Sequence, residues 1–234
     1  MNKYSKQIRI LVAIDCIIFG FDGNELKILL IQRGLEPEIG KWSLMGGFVQ
    51  RGESLKESAN RVLLQLTGLE KVYLEQLHTF GDTLRDPIER TISVTYFSLL
   101  DLTKYKAQLS AEFHAEWFPL KKHPKLIFDH NEMVQMAKAK LKYKASLHPI
   151  LFELLSEKFT LPQLQGLFEE VYQTSFDKRN FSRKILSTGL IQKLNEKEKE
   201  SSKKGAFYYK LDKKHYKTNF HHILRFIPNP NELL

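Results

Sequence analysis

Cysteine is almost absent from the sequence, which contains only Cys16 among 234 residues. One cysteine cannot form an internal disulfide, so the fold must rest on buried apolar surface. The sequence also lacks an apolar run of about 18 residues, the least that a membrane-spanning helix requires. The first apolar stretch ends at Asp15 and has no small-residue cleavage site, which argues against a signal peptide. We therefore expect a cytoplasmic protein.

A Gly/Ser-rich linker and internal repeats are also missing, although 234 residues are enough for two domains. Strands and helices mix up to about residue 145, whereas helices followed by a single hairpin are expected after it. The sequence therefore predicts an α/β (α+β) domain over residues 1–145 and a second domain over residues 146–234. Without a flexible linker, we expect the two domains to pack together or share a stiff connection.

Acidic residues are outnumbered, since 27 Asp and Glu residues stand against 36 Lys and Arg residues. The net charge of +9 is shared about equally, with +4 up to residue 146 and +5 after it, so the shorter C-terminal part is more densely charged. A basic protein can bind nucleic acid by neutralising phosphates and releasing counterions. Many soluble proteins are mildly basic, so charge alone does not identify the partner.

The hydrophobic pattern of the first 145 residues predicts both strands and helices. Alternating or continuous apolar runs predict strands over residues 10–19, 25–32, 72–81 and 91–99. The first two runs are joined by a glycine-containing turn and should form a hairpin. Apolar residues at helical spacing predict helices over residues 54–67 and 131–143, and Gly68 fits the left-handed position that ends a helix.

The loop and helix between residues 47 and 69 carry a long spaced pattern. The residues that stand in its register are Gly47, Glu53, Arg61, Leu63, Gly68 and Leu69. The segment resembles the Nudix box, G-x5-E-x7-R-E-U-x-E-E-x-G-U, in which U is aliphatic, and the strands before it are also similar to those of the family. The resemblance implies a Nudix-type α/β/α sandwich.

The three helical glutamates of the Nudix pattern are missing, because their positions hold Val62, Gln65 and Leu66. Carboxylates spaced i, i+3, i+4 share one helical face, which a Mg²⁺ ion bridging a pyrophosphate requires. We therefore expect no catalytic residues, no metal, no cofactor and no enzyme, and a face that packs into the core or lines a less polar pocket. Glu53 and Glu57 remain one turn apart; they are either solvated carboxylates or a surviving single-metal site.

Asp15 is a candidate ligand-binding residue because it interrupts an apolar strand. A buried carboxylate is costly unless it is hydrogen-bonded, so Asp15 either pairs with an arginine or lines a pocket. Arg33, at the end of the next strand, and Trp42 are further pocket candidates, although Trp42 is as well explained by the core. Residues 79–90 add Arg85, Asp86 and Arg90, which either close over a polar ligand or form a surface turn. The expected effector-binding set is Asp15, Arg33, Trp42, Glu53, Asp82, Arg85, Asp86 and Arg90.

The C-terminal part has the element order of a winged helix–turn–helix. Thr160 and Gln163 form a capping box for a helix ending near Tyr172, a second helix starts at residues 175–177 and ends at Gly189, and two strands follow over residues 190–194 and 206–211. A short helix is expected before them over residues 149–156. The second helix is the expected recognition helix, with an inner face made of Phe176, Phe181, Ile185 and Leu186.

Basic and amide side chains on the outer face of the second helix suit DNA, because Arg and Asn read base edges and Lys holds phosphates. The expected DNA-binding residues are Lys178, Arg179, Asn180, Ser182, Arg183 and Lys184, together with Lys203 and Lys204 at the hairpin tip. A solvated basic helix on a protein-interaction module is the alternative. A metal site at His215, His221 and His222 is not expected, since clustered Cys or acidic partners are missing.

A Nudix-like domain, a Phe80-Gly81-Asp82 to Arg85-Asp86-Pro87 segment and a basic helical domain together resemble the Nudix-related transcriptional regulators. Some members sense ADP-ribose and control NAD synthesis; others sense sugars, and the chain looks most like the L-arabinose-responsive members. The resemblance implies a homodimeric repressor of carbohydrate utilisation that binds a double-stranded DNA operator. The alternatives are an ADP-ribose-responsive regulator of NAD metabolism, a residual Nudix hydrolase and a protein-interaction adaptor.

Overall fold

The computed structural model describes residues 7–105, 114–199 and 205–214. They contain the following elements in chain order: β1 (Leu11–Phe21), β2 (Leu26–Gln32), β3 (Trp42–Ser43), β4 (Met45–Phe48), α1 (Leu55–Thr67), β5 (Glu75–Phe80), β6 (Thr91–Asp101), α2 (Leu102–Tyr105), β7 (Glu116–Pro119), α3 (His130–Leu147), a 3₁₀ helix (Ile150–Leu154), β8 (Phe159–Thr160), α4 (Leu161–Tyr172), α5 (Lys178–Ser187), β9 (Ile191–Glu198) and β10 (Ala206–Leu211). No helix in these residues is long and apolar enough to cross a membrane.

The described residues divide into two units. The first takes residues 7–18, 28–98 and 114–137, and the second takes residues 19–27, 99–105, 138–199 and 205–214. Strands β1, β2 and β6 and helix α3 therefore contribute residues to both units. The domain boundary expected near residue 145 stays a prediction.

Seven strands form one sheet, in which β3, β2, β1, β6 and β5 are successive neighbours, β4 also pairs with β1, and β7 pairs with β2. Strand β1 is the centre of the sheet, and residues 14–21 of it are buried, as expected for a strand covered on both faces. The pairing of β4 with β1 is antiparallel and sets Gly46 opposite Asp15. This register places Gly46 of β4 next to the one carboxylate inside β1.

Helix α1 follows the expected sequence signals at both ends. The Ser54 side chain accepts from the Glu57 backbone amide at 3.3 Å, and the Glu57 carboxylate accepts from the Ser54 amide at 2.7 Å. Gly68 ends the helix with a φ of 76°, a conformation in which a side chain would be strained. These caps fix where α1 begins and so orient the face that carries Val62 and Leu66.

The second unit contains α4, α5 and the three-stranded sheet β8-β10-β9. Thr160 and Gln163 form the expected capping box at the start of α4, and Asp177 caps α5 by accepting from the Asn180 amide at 2.8 Å. Phe181 and Ile185 of α5 are buried. Two helices followed by a strand hairpin confirm the expected element order.

Three details of the second unit differ from expectation. The segment expected as a helix over residues 149–156 is a short 3₁₀ helix, because its two buried side chains, Leu151 and Leu154, are three residues apart and three residues make one 3₁₀ turn. Strand β9 extends to Glu198 because β10 pairs with it as far as Ala206. Leu186 is 44% exposed rather than part of the inner face, since the residue after buried Ile185 lies about 100° further around the helix.

Candidate functional site

A cavity of about 330 Å³ opens in the first unit, within the size range of small-molecule sites. Four of the expected effector-binding residues line it: Asp15, Arg33, Arg85 and Asp86. Phe128 and His130, just before and at the start of α3, also line it and were not expected from the sequence. The remaining wall is largely apolar and comes from β1, β2, β4 and α1. The cavity therefore combines an apolar surface with a few charged groups.

Asp15 lines this cavity and contacts other polar side chains, and its expected role in effector binding stays a prediction. It is only 4% exposed. Its Oδ2 accepts a hydrogen bond from Ser93 Oγ at 2.5 Å, and Arg85 Nη2 lies 3.8 Å from the same oxygen. The hydroxyl and the guanidinium offset part of the cost of burying this charge.

Arg85 is held mainly by Asp129, a residue that the sequence did not indicate. Its Nε and Nη2 donate to the two carboxylate oxygens of Asp129, each at 2.8 Å, and both side chains are largely buried. Such a forked pair fixes the guanidinium in both position and orientation. Because Asp129 neutralises it, Arg85 adds little net charge to the cavity.

His130 packs against Asp15 from the start of α3 and is buried. Burial lowers the pKa of its imidazole below the ordinary value of 6.5, and the nearby Asp15 charge opposes this shift only in part. The Leu44 backbone amide donates to Nδ1 at 3.2 Å, so the neutral ring carries its proton on Nε2. That nitrogen lies 3.6 Å from Asp15 Oδ1.

Arg33 is the cation of the cavity that has no carboxylate within 4 Å among the described residues. Its Nε donates to the carbonyls of Leu35 and Pro37, at 3.0 and 2.7 Å, and these bonds hold the loop after β2. Its guanidinium lies 5.3 Å from the ring centroid of Phe128, within cation–π range. Arg33 therefore keeps positive charge available at an aromatic wall.

The other four expected effector-binding residues lie elsewhere in the first unit and do not line this cavity. Trp42 packs edge-to-face on Phe118 with centroids 4.6 Å apart, as its core alternative predicts. Arg90 donates to the carbonyls of Gly81 and Asp82, each at 2.9 Å, and so closes the loop between β5 and β6. Glu53 is paired with Arg61. A ligand contact by any of these residues stays a prediction.

The three positions of the missing glutamates have different environments. Val62 is buried, and a Cβ on Gly47 would lie 2.8 Å from Val62 Cγ2, so β4 and α1 touch directly there. Leu66 lines the cavity, and Gln65 is exposed and accepts from Arg61 Nη1 at 3.2 Å. One face of α1 thus both packs and lines the cavity. Among the described residues, no group of three or more His, Cys, Asp or Glu side chains is arranged to hold a metal ion.

The Glu53–Arg61 pair predicts a measurable titration. Arg61 donates to the Glu53 carboxylate from Nε at 2.9 Å and from Nη2 at 2.6 Å, which lowers the pKa of Glu53 from 4.5 to about 2. Because the folded pKa is depressed, this pair stabilises the fold above pH 4.5 and its contribution is lost as pH falls towards 2. In an NMR titration of the side-chain carboxyl, we expect a Glu53 midpoint near 2 that returns towards 4.5 in Arg61→Ala.

Gln65→Ala is the matched control for this titration, because it removes another side-chain partner of Arg61 and leaves Glu53 paired. Its Glu53 midpoint should stay near that of the unaltered protein. A midpoint near 4.5 in the unaltered protein would show that the pair does not form in solution.

The outer face of α5 is basic, as expected for a recognition helix. The side chains of Lys178, Arg179, Asn180, Arg183 and Lys184 are exposed, and Ser182 is half-buried. Arg183 Nη2 donates to Asn180 Oδ1 at 2.8 Å, which pre-orients two groups that can read base edges. Lys203, Lys204, His215, His221 and His222 lie outside the described residues.

Strand β9 adds a basic feature that was not expected from the sequence. The ammonium groups of Lys193 and Lys197 lie 3.5 and 4.6 Å from the ring centroid of Phe207 on β10. Residues 193 and 197 are an even number of positions apart, so they project from the same face of a strand. The even spacing of these two lysines was the signal in the sequence for a basic face on the hairpin.

Two sequence families match this chain: the NUDIX domain over residues 9–137 and the NrtR DNA-binding winged helix domain over residues 151–211. The ADPR responsive transcriptional repressor NtrR of Acinetobacter baylyi is 33% identical to it, over 92% of this chain and 88% of that protein. The chain belongs to the NrtR family. The predicted fold class, a Nudix domain followed by a winged helix domain, is therefore confirmed.

Solved structures of NrtR support the same assignment. Shewanella oneidensis NrtR in complex with a 27mer DNA is 30% identical, with a TM-score of 0.74, and the match covers 88% of this chain and 95% of that one. The NUDIX domain of the same NrtR in complex with ADP ribose is 32% identical, with a TM-score of 0.52, over 60% of this chain and 94% of that one. These NrtR relatives favour the ADP-ribose alternative, and the expected likeness to L-arabinose-responsive members finds no support in them.

Proposed function

We propose that the protein is a DNA-binding transcriptional repressor whose Nudix domain binds ADP-ribose without hydrolysing it. The observation that carries this proposal is the cavity wall: it keeps charged groups for a polar ligand but has Leu66 where the Nudix pattern places a metal-binding glutamate. A leucine offers no oxygen to a metal ion, so a bound pyrophosphate would not be activated. The names of the A. baylyi and S. oneidensis relatives support ADP-ribose as the effector.

The charges of the cavity suit a nucleoside diphosphate better than a free pentose. Arg85 is neutralised by Asp129, whereas Arg33 has no carboxylate partner among the described residues and can face a pyrophosphate. Phe128 beside it provides a flat apolar surface. A pentose such as L-arabinose has no negative charge that could pair with Arg33 and no aromatic ring that could stack on Phe128.

DNA binding is assigned to α5, whose exposed basic residues can enter a major groove while Phe181 and Ile185 hold the helix on its domain. A homodimer would bind two half-sites about 34 Å apart or a multiple of this. ADP-ribose can release the DNA only if it binds more tightly to a state in which the two winged helices fit the half-sites poorly.

The direct test is fluorescence anisotropy on a labelled DNA fragment selected from the genome for binding, titrated with protein at fixed salt. We expect ADP-ribose to weaken DNA binding and L-arabinose at the same concentration to leave it unchanged. Reciprocally, DNA should weaken ADP-ribose binding by the same factor. Specific DNA binding that responds to L-arabinose alone would overturn the effector assignment and leave the DNA assignment standing.

The absence of catalysis needs its own test, because Glu53 and Arg61 of the Nudix pattern are kept. We expect no release of AMP and ribose 5-phosphate from ADP-ribose with Mg²⁺ or Mn²⁺. Turnover that is lost in Glu53→Gln would show that this chain is a hydrolase after all. Turnover that persists unchanged in Glu53→Gln points to a contaminating enzyme, which repurification of the unaltered protein then removes.

A further inference from the structure

Asp15 has one carboxylate oxygen that other protein groups leave incompletely satisfied. Its Oδ2 is bound by Ser93 at 2.5 Å, but the nearest polar contact of Oδ1 among the described residues is His130 Nε2 at 3.6 Å, too long for a hydrogen bond. The residue is only 4% exposed and lines the cavity. Asp15 lines the cavity, so a group bound in the cavity can supply the donor that Oδ1 lacks.

Gly46 keeps the space beside this oxygen open. It faces Asp15 across the β1–β4 pair, and a Cβ at residue 46 would lie 2.5 Å from Asp15 Oδ1. Any residue other than glycine would push the carboxylate away or cover the oxygen. The absence of a side chain at this position thus preserves access to Oδ1.

His130 presents a donor next to this acceptor. Because its Nδ1 accepts from the Leu44 amide, its Nε2 carries the proton and points to the Asp15 side of the ring. A group bound between Oδ1 and Nε2 must donate to the first and accept from the second. A hydroxyl does both and can bridge two atoms 3.6 Å apart. An ammonium cannot accept, and a phosphate oxygen cannot donate and is repelled by the carboxylate.

We propose that Asp15 and His130 form a hydroxyl subsite that binds a ribose hydroxyl of the effector, with Asp15 as the residue that determines specificity for the sugar. This inference rests on ADP-ribose as the proposed effector and adds which part of the ligand these two residues hold. ADP-ribose contains two riboses. ADP lacks the terminal ribose, and 2′-deoxy-ADP lacks in addition the 2′-hydroxyl of the adenosine ribose. Comparing the three ligands therefore shows which of the two riboses supplies the hydroxyl.

The experiment measures ADP-ribose, ADP and 2′-deoxy-ADP binding by calorimetry for the full-length protein and three variants. Asp15→Asn should bind ADP-ribose about 10- to 100-fold more weakly, the effect of losing a charged hydrogen bond. Gly46→Ala should show a similar loss while keeping the Asp15 charge. Glu132→Gln is the matched control: it removes an exposed carboxylate from the first turn of α3 that does not line the cavity, and it should retain the ligand preference of the unaltered protein. Thermal melting verifies that each variant is folded.

The outcomes separate the subsite from the proposed function. A loss confined to ADP-ribose assigns the terminal ribose, and a loss shared with ADP but not with 2′-deoxy-ADP assigns the adenosine ribose. If the unaltered protein binds ADP-ribose but Asp15→Asn and Gly46→Ala bind all three ligands as it does, the subsite is wrong and the effector stands. The subsite is also wrong, and the effector again stands, if Glu132→Gln loses the preference equally. If the unaltered protein does not bind ADP-ribose, both the proposed effector and the proposed subsite are wrong.

Discussion

Replacing Asp129 with alanine is expected to lower the free energy of unfolding by about 3 to 5 kcal/mol. The substitution removes both hydrogen bonds to the Arg85 guanidinium, whose side chain is only 4% exposed. The remaining carboxylate contact of Arg85, to Asp15 Oδ2, is 3.8 Å long. The cost is therefore that of leaving a buried cation almost without a partner.

Urea denaturation followed by tryptophan fluorescence measures this effect, because both tryptophans of the chain, Trp42 and Trp117, belong to the first unit. Lys41→Ala is the matched control in the same unit. It breaks the ion pair with Glu38, in which the Lys41 side chain is 65% exposed, and should change stability by at most about 1 kcal/mol. Equal costs for the two variants would mean that the Arg85–Asp129 pair is solvated.

Removing the Arg179 side chain is expected to weaken specific DNA binding about 10- to 100-fold. Arg179 is exposed in the first turn of α5, and the first residues of a recognition helix are those that reach base edges. A bidentate arginine–guanine contact contributes about 1 to 3 kcal/mol of discrimination, so Arg179→Ala should lose most of its affinity for the selected operator and little for unrelated DNA. Anisotropy titrations on both DNAs measure the two affinities.

Two lysine variants separate base recognition by Arg179 from phosphate contacts and from net charge. Lys178→Ala should weaken binding to both DNAs alike and reduce the slope of log affinity against log salt by about 1, as expected for one lost phosphate contact. Lys56→Ala removes the same charge from an exposed position on α1 and should leave DNA binding unchanged. If Lys56→Ala and Arg179→Ala weaken binding equally, net charge rather than α5 accounts for the affinity.

Local sequence signals predicted where helices α1 and α4 begin and where α1 ends. The caps at Ser54, Gly68 and Thr160 depend on residues within one turn, so the sequence contains all the information they need. The replacement of the Nudix glutamates could also be read from the sequence, because helical spacing alone puts Val62 and Leu66 on neighbouring turns of one face. Sequence patterns therefore predict contacts between residues that are only a few positions apart.

Long-range pairs were not predictable in the same way. Arg85 finds Asp129 across 44 positions of sequence, and no local pattern connects them. The structure shows Arg90 bound to the Asp82 carbonyl within their own loop and Trp42 packed on Phe118. A ligand contact by these three residues stays a prediction. The buried carboxylate at Asp15 was the exception, since a charge inside an apolar strand requires a partner wherever that partner lies.

The contact between Gly47 and Val62 bears on how a protein of this kind could change over time. A glutamate at residue 62 would bring a charged, longer side chain to a position that is 2% exposed and already touches the backbone of Gly47. Its charge would be buried before the carboxylates at residues 65 and 66 existed to share a cation. A glutamate at residue 62 alone is therefore expected to lower stability. The packing between Gly47 and residue 62 would have to loosen before this position could hold a carboxylate.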